Sequence, residues 1–206
     1  KDRFRNYPSG ERPVTGISQA ENGRLMIAAG GKIMFFDTES WSWETERHIG
    51  QMESVDATIL FRQEDNIWIG TRQDGLFCYS TSTKEFRRIS AYTCNRLIQC
   101  IIMPDDHSLW IATEGDGLYC LDTTDDGLVN YRHSPDNPHG LSSNYVRTLS
   151  TDIFGRLWIG TFKGLSILED GKFTNIYSEP FMPGSLSQAS VRCISRDSQG
   201  GMWLGT

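Results

Sequence analysis

The chain has 206 residues, 38% hydrophobic, 22% charged and 11% aromatic, with 20 glycines; this balance excludes a disordered chain and fits a turn-rich globular protein. Its net charge of −6 argues against nucleic acid and anionic membrane surfaces as partners, since both are held by clustered Lys and Arg. No apolar run reaches the roughly 18 residues of a membrane span and no signal peptide opens the sequence. The last residue, Thr206, stops inside a repeat, so both ends are expected to be cuts from something longer.

One short text recurs along the chain. It is worn at Leu25-Met26-Ile27-Ala28-Ala29 and clear at Ile67-Trp68-Ile69-Gly70-Thr71 and Leu109-Trp110-Ile111-Ala112-Thr113. It returns at Leu157-Trp158-Ile159-Gly160-Thr161 and, at the chain end, Met202-Trp203-Leu204-Gly205-Thr206. A Gly-Leu pair follows three of these copies, at Gly75-Leu76, Gly117-Leu118 and Gly164-Leu165. The steps from Met26 to Trp68, Trp110, Trp158 and Trp203 are 42, 42, 48 and 45 residues, the period of a four-stranded propeller blade. An all-β propeller of four-stranded antiparallel blades is therefore predicted, with about four blades plus partial ones at both ends and blade cores near 25–29, 67–71, 109–113, 157–161 and 202–206. The whole of 1–206 reads as one partial propeller.

In chain order, Arg3 to Tyr7 resembles the later stretch 172–177 and reads as the fourth strand of a preceding blade. The unit with Met26 is atypical and suits a capping repeat. The best-defined unit has strands predicted at 98–103, around Trp110, at 118–121 and at 128–131. The first turn of each unit is rich in Asp, Asn and Gly, at 21–23, 63–66, 104–108, 152–155 and 197–200, residues that tolerate tight-hairpin conformations. Its acids are read as turn formers.

Along the Trp strand both faces are apolar, as in a sheet covered on both sides. The Trp stripe is expected to be core, and truncating Trp110 is expected to cost about 3 to 5 kcal/mol. The small residue two after Trp is expected to make room for a large side chain from the next blade. Cys78, Cys94, Cys100, Cys120 and Cys193 are an odd set without metal spacing and read as small core residues. His48, His107, His133 and His139 hold different places in the repeat, and only the last two could share a face. Gly-x-Ser-x-Gly, P-loop and Cys-x-x-Cys motifs do not occur, so no catalytic residue, metal site or cofactor is assigned.

Long Pro-, Gly- and Ser-rich links occupy 132–144 and 178–190. In an antiparallel blade these links share an edge with the turn after the second strand, and variable loops on one side of a rigid scaffold commonly bind. Arg72, Asp74, Arg96, Glu114, Asp116, Tyr145, Phe162 and Lys163 fall on that predicted rim. They combine planar donors, carboxylate acceptors and aromatic faces, a mixture suited to holding a polar ligand.

Gly140-Leu-Ser-Ser-Asn-Tyr-Val146, an Asp-x-x-Gly turn, the 157–161 text and Gly164-Leu-Ser-Ile-Leu168 together resemble the two-component-regulator propeller repeat of hybrid sensor histidine kinases. The resemblance implies a periplasmic sensor region of an inner-membrane protein, with two seven-bladed propellers followed by a β-sandwich, a membrane helix, kinase, receiver and DNA-binding modules. It implies that this segment is a fragment of such a propeller, itself not an enzyme, packed against the remaining blades and a second propeller. It further implies an oligosaccharide breakdown product as ligand and a homodimeric parent, with no direct nucleic-acid or membrane contact by this segment. Two alternatives stand beside it: a propeller-type lyase similar to the streptogramin lyases, and a protein-interaction propeller.

Overall fold

The computed structural model describes residues 13–19, 24–29, 32–43, 55–83 and 85–206. The expected strand at 3–7, the turn at 21–23, Gly30-Gly31 and His48 lie outside them. Every regular element among the described residues is a β-strand, and the chain divides into two compact units, Lys1–Arg88 and Ile89–Thr206.

The first unit holds two sheets. Strands β1 (Val14–Gln19), β2 (Arg24–Ala29), β3 (Lys32–Asp37) and β4 (Ser42–Trp43) pair in that order. Strands β5 (Ala57–Gln63), β6 (Asn66–Thr71), β7 (Leu76–Ser80) and β8 (Phe86–Arg88) do the same. All pairings are antiparallel. Met26, Ile33, Ile67 and Ile69, all wholly buried, join the two sheets in one core.

The second unit holds β9 (Ile98–Ile102), β10 (Ser108–Thr113), β11 (Leu118–Asp122) and β12 (Leu128–Tyr131) as one antiparallel sheet. A second sheet consists of β13 (Val146–Thr151), β14 (Leu157–Thr161), β15 (Gly164–Glu169) and β16 (Lys172–Ile176). The hairpin β17 (Cys193–Arg196) and β18 (Met202–Gly205) follows. Ala112 and Leu118 meet Leu141, Val146, Leu149 and Ile159 between the two four-stranded sheets. Each repeat text coincides with the second strand of its sheet, as expected of blades.

Burial along that strand departs from expectation. The residues on either side of Trp are the deepest: Ile67, Ile69 and Thr71, then Leu109, Ile111 and Thr113, are fully buried. The tryptophans themselves grade outward: Trp68 is buried, Trp110 and Trp158 are half-buried, and Trp203 is 68% exposed. Two of them reach back to the turn. The Trp158 indole N–H donates to Asp152 Oδ2 at 2.9 Å, and that of Trp203 to Asp197 Oδ2 at 2.8 Å. A half-buried Trp110 leaves a cavity partly open to water, so its truncation belongs near the low end of the expected cost of about 3 to 5 kcal/mol.

The small residue after Trp keeps space for both its own sheet and the next. A Cβ on Gly160 would stand 2.5 Å from Thr148 Cγ2 and 2.9 Å from Val191 Cγ1. Val191, on the segment leading to the hairpin, is wholly buried. At Gly205 the occupant is Cys193 of the paired strand. The expected large side chain is thus a medium one, and it does not always come from the next blade. All five thiols are free: Cys78 and Cys94 are buried, Cys100 and Cys120 half-buried and Cys193 exposed. The placement of Cys193 corrects the expectation that all five are core.

A shared irregularity has no counterpart in the sequence reading. In all four complete sheets the pairing of the first strand with the second slips by one residue near the rim. The bulged residues are Thr15, Thr58, Gln99 and Arg147. In three of these strands the buried apolar residues are three apart, Ala57 and Leu60, Ile98 and Ile101, Val146 and Leu149. A regular strand would bury every second residue.

Candidate functional site

The threonine closing each Trp strand fixes the turn that follows. Thr71 Oγ1 donates to Gly75 O, Thr113 Oγ1 to Gly117 O and Thr161 Oγ1 to Gly164 O, at 2.7, 2.7 and 2.9 Å. The same three oxygens accept from the amides of Asp74, Asp116 and Lys163. These hydroxyls are fully buried, so each rim turn is held from beneath.

In the first unit, Arg72 and Asp74 are both exposed. Arg72 Nε donates to Asp56 Oδ2 at 2.7 Å, and the Arg72 amide donates to Asp56 O. Both side chains of the ion pair are about half-exposed, at 55% and 53%, and a pair so solvated stabilises little.

In the second unit the predicted residues separate into two groups. Glu114, Tyr145 and Phe162 come together. Glu114 bridges Tyr145 across the two sheets, the amides of Gly115 and Gly117 donate to Asn144 O at 3.0 and 2.9 Å, and the Phe162 amide donates to Tyr145 O at 3.0 Å. The Tyr145 ring lies over Gly115, where a Cβ would meet its Cε1 at 3.6 Å. Its centroid is 6.3 Å from that of Phe162, tilted by 54°. Arg96 and Lys163 are exposed on neighbouring turns. Asp116 faces inward: its carboxylate accepts from Tyr119 Oη and pairs with Arg132 at 2.6 Å. Burial, and then that hydrogen bond to Asp116, push the Tyr119 phenol up from its ordinary value.

Arg147 was absent from the predicted set. As the bulged residue of β13 its side chain is re-aimed, and its guanidinium carbon stands 5.5 Å from the Phe162 centroid. Its Nε is buried and makes no hydrogen bond to protein, although buried polar groups are ordinarily paired. The signal that could have found it is the Val146–Leu149 spacing of three within a strand.

Part of the link expected to be an open binding loop is structural. Leu141, Ser142 and Ser143 are buried. Ser142 Oγ bonds Thr161 Oγ1 and Ser166 Oγ at 2.9 and 2.8 Å, Ser166 Oγ donates to Asn175 Oδ1, and Asn175 Nδ2 donates to Gly140 O. His133 is tied in as well, its Nδ1 lying 2.8 Å from Leu141 O. His139 is exposed. Among the described residues no three His, Cys, Asp or Glu side chains are placed to hold a metal ion. No helix among them is long and apolar enough to cross a membrane.

The family model for the two-component regulator propeller matches residues 140–163 and 185–206. The first match covers Ser142, Tyr145, Arg147 and the Trp158 strand. Those two stretches match the two-component-regulator propeller repeat. Similar solved structures bear out the propeller architecture. One is described as the extracellular domain of a hybrid two-component system, BT4673, of B. thetaiotaomicron, with 20% identity, a TM-score of 0.74, and coverage of 98% of this chain and 27% of that one. A second, BT3049 of the same organism, has 22% identity, a TM-score of 0.72, and coverage of 94% and 25%. Virginiamycin B lyase from Staphylococcus aureus, solved as an inactive H270A variant with quinupristin, has 13% identity, a TM-score of 0.73, and coverage of 97% and 65%. Identities this low carry the fold alone. This propeller chain spans about a quarter of the length of the two hybrid-system structures. No curated protein matches it.

Proposed function

We propose that this chain is part of an extracytoplasmic, ligand-sensing propeller of a hybrid two-component system. In this reading it is not itself an enzyme, and a membrane-bound parent signals through a kinase domain outside the segment to control transcription. The ligand is an oligosaccharide breakdown product. One observation carries the reading: Tyr145 and Phe162, 53% and 52% exposed, are fixed by backbone hydrogen bonds beside Glu114 and over Arg147. Exposed aromatic rings held rigidly next to a donor and an acceptor suit the apolar face and hydroxyls of a sugar ring. The location and the two-component role rest on the repeat family and on the described nature of the similar extracellular domains.

Calorimetry of the intact sensor region against an oligosaccharide panel tests this. Arg72→Ala, Glu114→Ala, Arg147→Ala and Lys163→Ala follow on whichever sugar binds. Weakening of tenfold or more by Glu114→Ala and Arg147→Ala is expected. Affinities within about 0.5 kcal/mol for all four, the size of an ordinary surface effect, place the ligand elsewhere.

A further inference from the structure

The strands that end at the Tyr145 cluster begin about 17 Å away, at their hairpin turns, given a rise near 3.3 Å per residue. There the two four-stranded sheets of the second unit enclose a cleft of about 260 Å³. Trp110 and Tyr131 line it, with Asp105 from the β9–β10 turn, Ser108 at the start of β10, and Asp170 and Gly171 from the β15–β16 turn.

The cleft lies where this repeat departs from the two that follow it. Six residues before Trp158 and Trp203 stand Asp152 and Asp197, which draw each indole to the turn. Six before Trp110 stands Pro104, which has no carboxylate. Trp110 stacks instead on Tyr131, with centroids 5.7 Å apart and planes at 28°. Gly155 and Gly171 at the opposite wall carry no side chain to fill the gap.

The chemistry of the lining selects the occupant. It holds two carboxylates and no Lys, Arg or His. Burial opposes ionisation of Asp105, but the amides of His107 and Ser108, both donating to Oδ1, hold its carboxyl below the usual range. Of the nearby bases, Arg156 pairs with Asp152 at 2.6 Å, and His107 lies on the Asp105 turn and helps to hold that carboxyl low. An anion is repelled from such a site. A neutral apolar guest gains nothing from the two carboxylates, which face water at the cleft mouth. A cation with an apolar body satisfies rings and carboxylates together.

We infer that this cleft binds a small organic ammonium ion, its alkyl groups against Trp110 and Tyr131 and its charge offset by Asp105 and Asp170. The volume sits just below the usual range of about 300 to 1,000 Å³ for ligand pockets, which limits the guest to a few carbon atoms. This site is separate from the rim cluster and stands whether or not a sugar binds there.

The test is titration of this chain with choline, followed by calorimetry and amide NMR shifts. The control is 3,3-dimethylbutan-1-ol, the uncharged isostere. Saturable choline binding is expected, with shifts at Asp105, Trp110, Tyr131 and Asp170, and binding of the isostere weaker by about fivefold to thirtyfold, the range of a desolvated cation–π contact. Asp170→Asn is the mutational arm. Asp170 already has a φ of 49°, and Asn tolerates that conformation, so the variant should fold with an unchanged thermal melt while choline binding weakens at least threefold. Equal affinity for the isostere, no saturation by choline, shifts confined to other residues, or an unaffected Asp170→Asn variant would each overturn the inference.

Discussion

Asp152 shows how much one turn residue does. Its carboxylate accepts from the Phe154 and Arg156 amides, from Arg156 Nε at 2.6 Å and from the Trp158 indole. Burial alone would raise its pKa, but the Trp158 and Arg156 donors outweigh burial and hold it below the ordinary aspartate value. Asp197 repeats the arrangement with Gln199, Gly201 and Trp203, and its carboxyl is lowered first by the Trp203 indole. A folded pKa below the unfolded one contributes stability that is complete above the unfolded value and is lost as pH falls through the folded one. The chain should therefore lose stability below about pH 4, the ordinary range of an aspartate. Asp152→Asn should lower the melting temperature at neutral pH and flatten this acid loss. An Asp152→Asn variant with the same melting temperature from pH 7 down to pH 3 as the parent chain would refute that.

At the scale of the element, a blade is fastened to the link before it by buried hydroxyls as well as by apolar packing. Ser142, Thr161 and Ser166 share one hydrogen-bonded group, and Ser166 and Asn175 carry it to the outer strand. This explains the Gly-Leu-Ser-Ser-Asn text before the blade: Leu141 enters the core while the two serines behind it are buried. Gly160 sits in the same strand, at the point of closest approach to Val191 and Thr148. An added methyl there must move backbone or buried side chains, and overpacking costs about 1 to 3 kcal/mol. Gly160→Ala should lower the melting temperature by several degrees. An unchanged melt would show that the packing gives way without cost.

For the molecule as a whole, the thiols report folding without any introduced probe. Burial pushes Cys78 and Cys120 up to about 11, and burial also raises Cys94 and Cys100. Cys193 is exposed. At about pH 8, near the ordinary thiol value, thiolate and access together set reactivity. Alkylation of the native chain should label Cys193 first and Cys78 only as the fold opens. Denatured, non-reduced protein should titrate as five free thiols, and a smaller number would contradict the unbridged arrangement.

The repeat text was enough to place the strands, because apolar periodicity, turn residues and a period in the forties all point to one local solution. The strand predicted around 118–121 is β11 (Leu118–Asp122), and that at 128–131 is β12. Asp152 and Asp197 were legible as turn formers, and the rim turns of Glu114 and Phe162 were legible from strand order. What the sequence could not reveal was where each side chain finds its partner. Asp116 reads like Glu114 in the text, but Tyr119 and Arg132 claim its carboxylate. Arg147 reads as an ordinary strand residue until a bulge turns it beneath Phe162. The cleft beside Trp110 required a proline six residues upstream and two glycines on another sheet to coincide in space. Period and turn chemistry are local properties and survive in one dimension. Pairing, bulge direction and empty volume arise between distant segments, so the tertiary structure alone decided them.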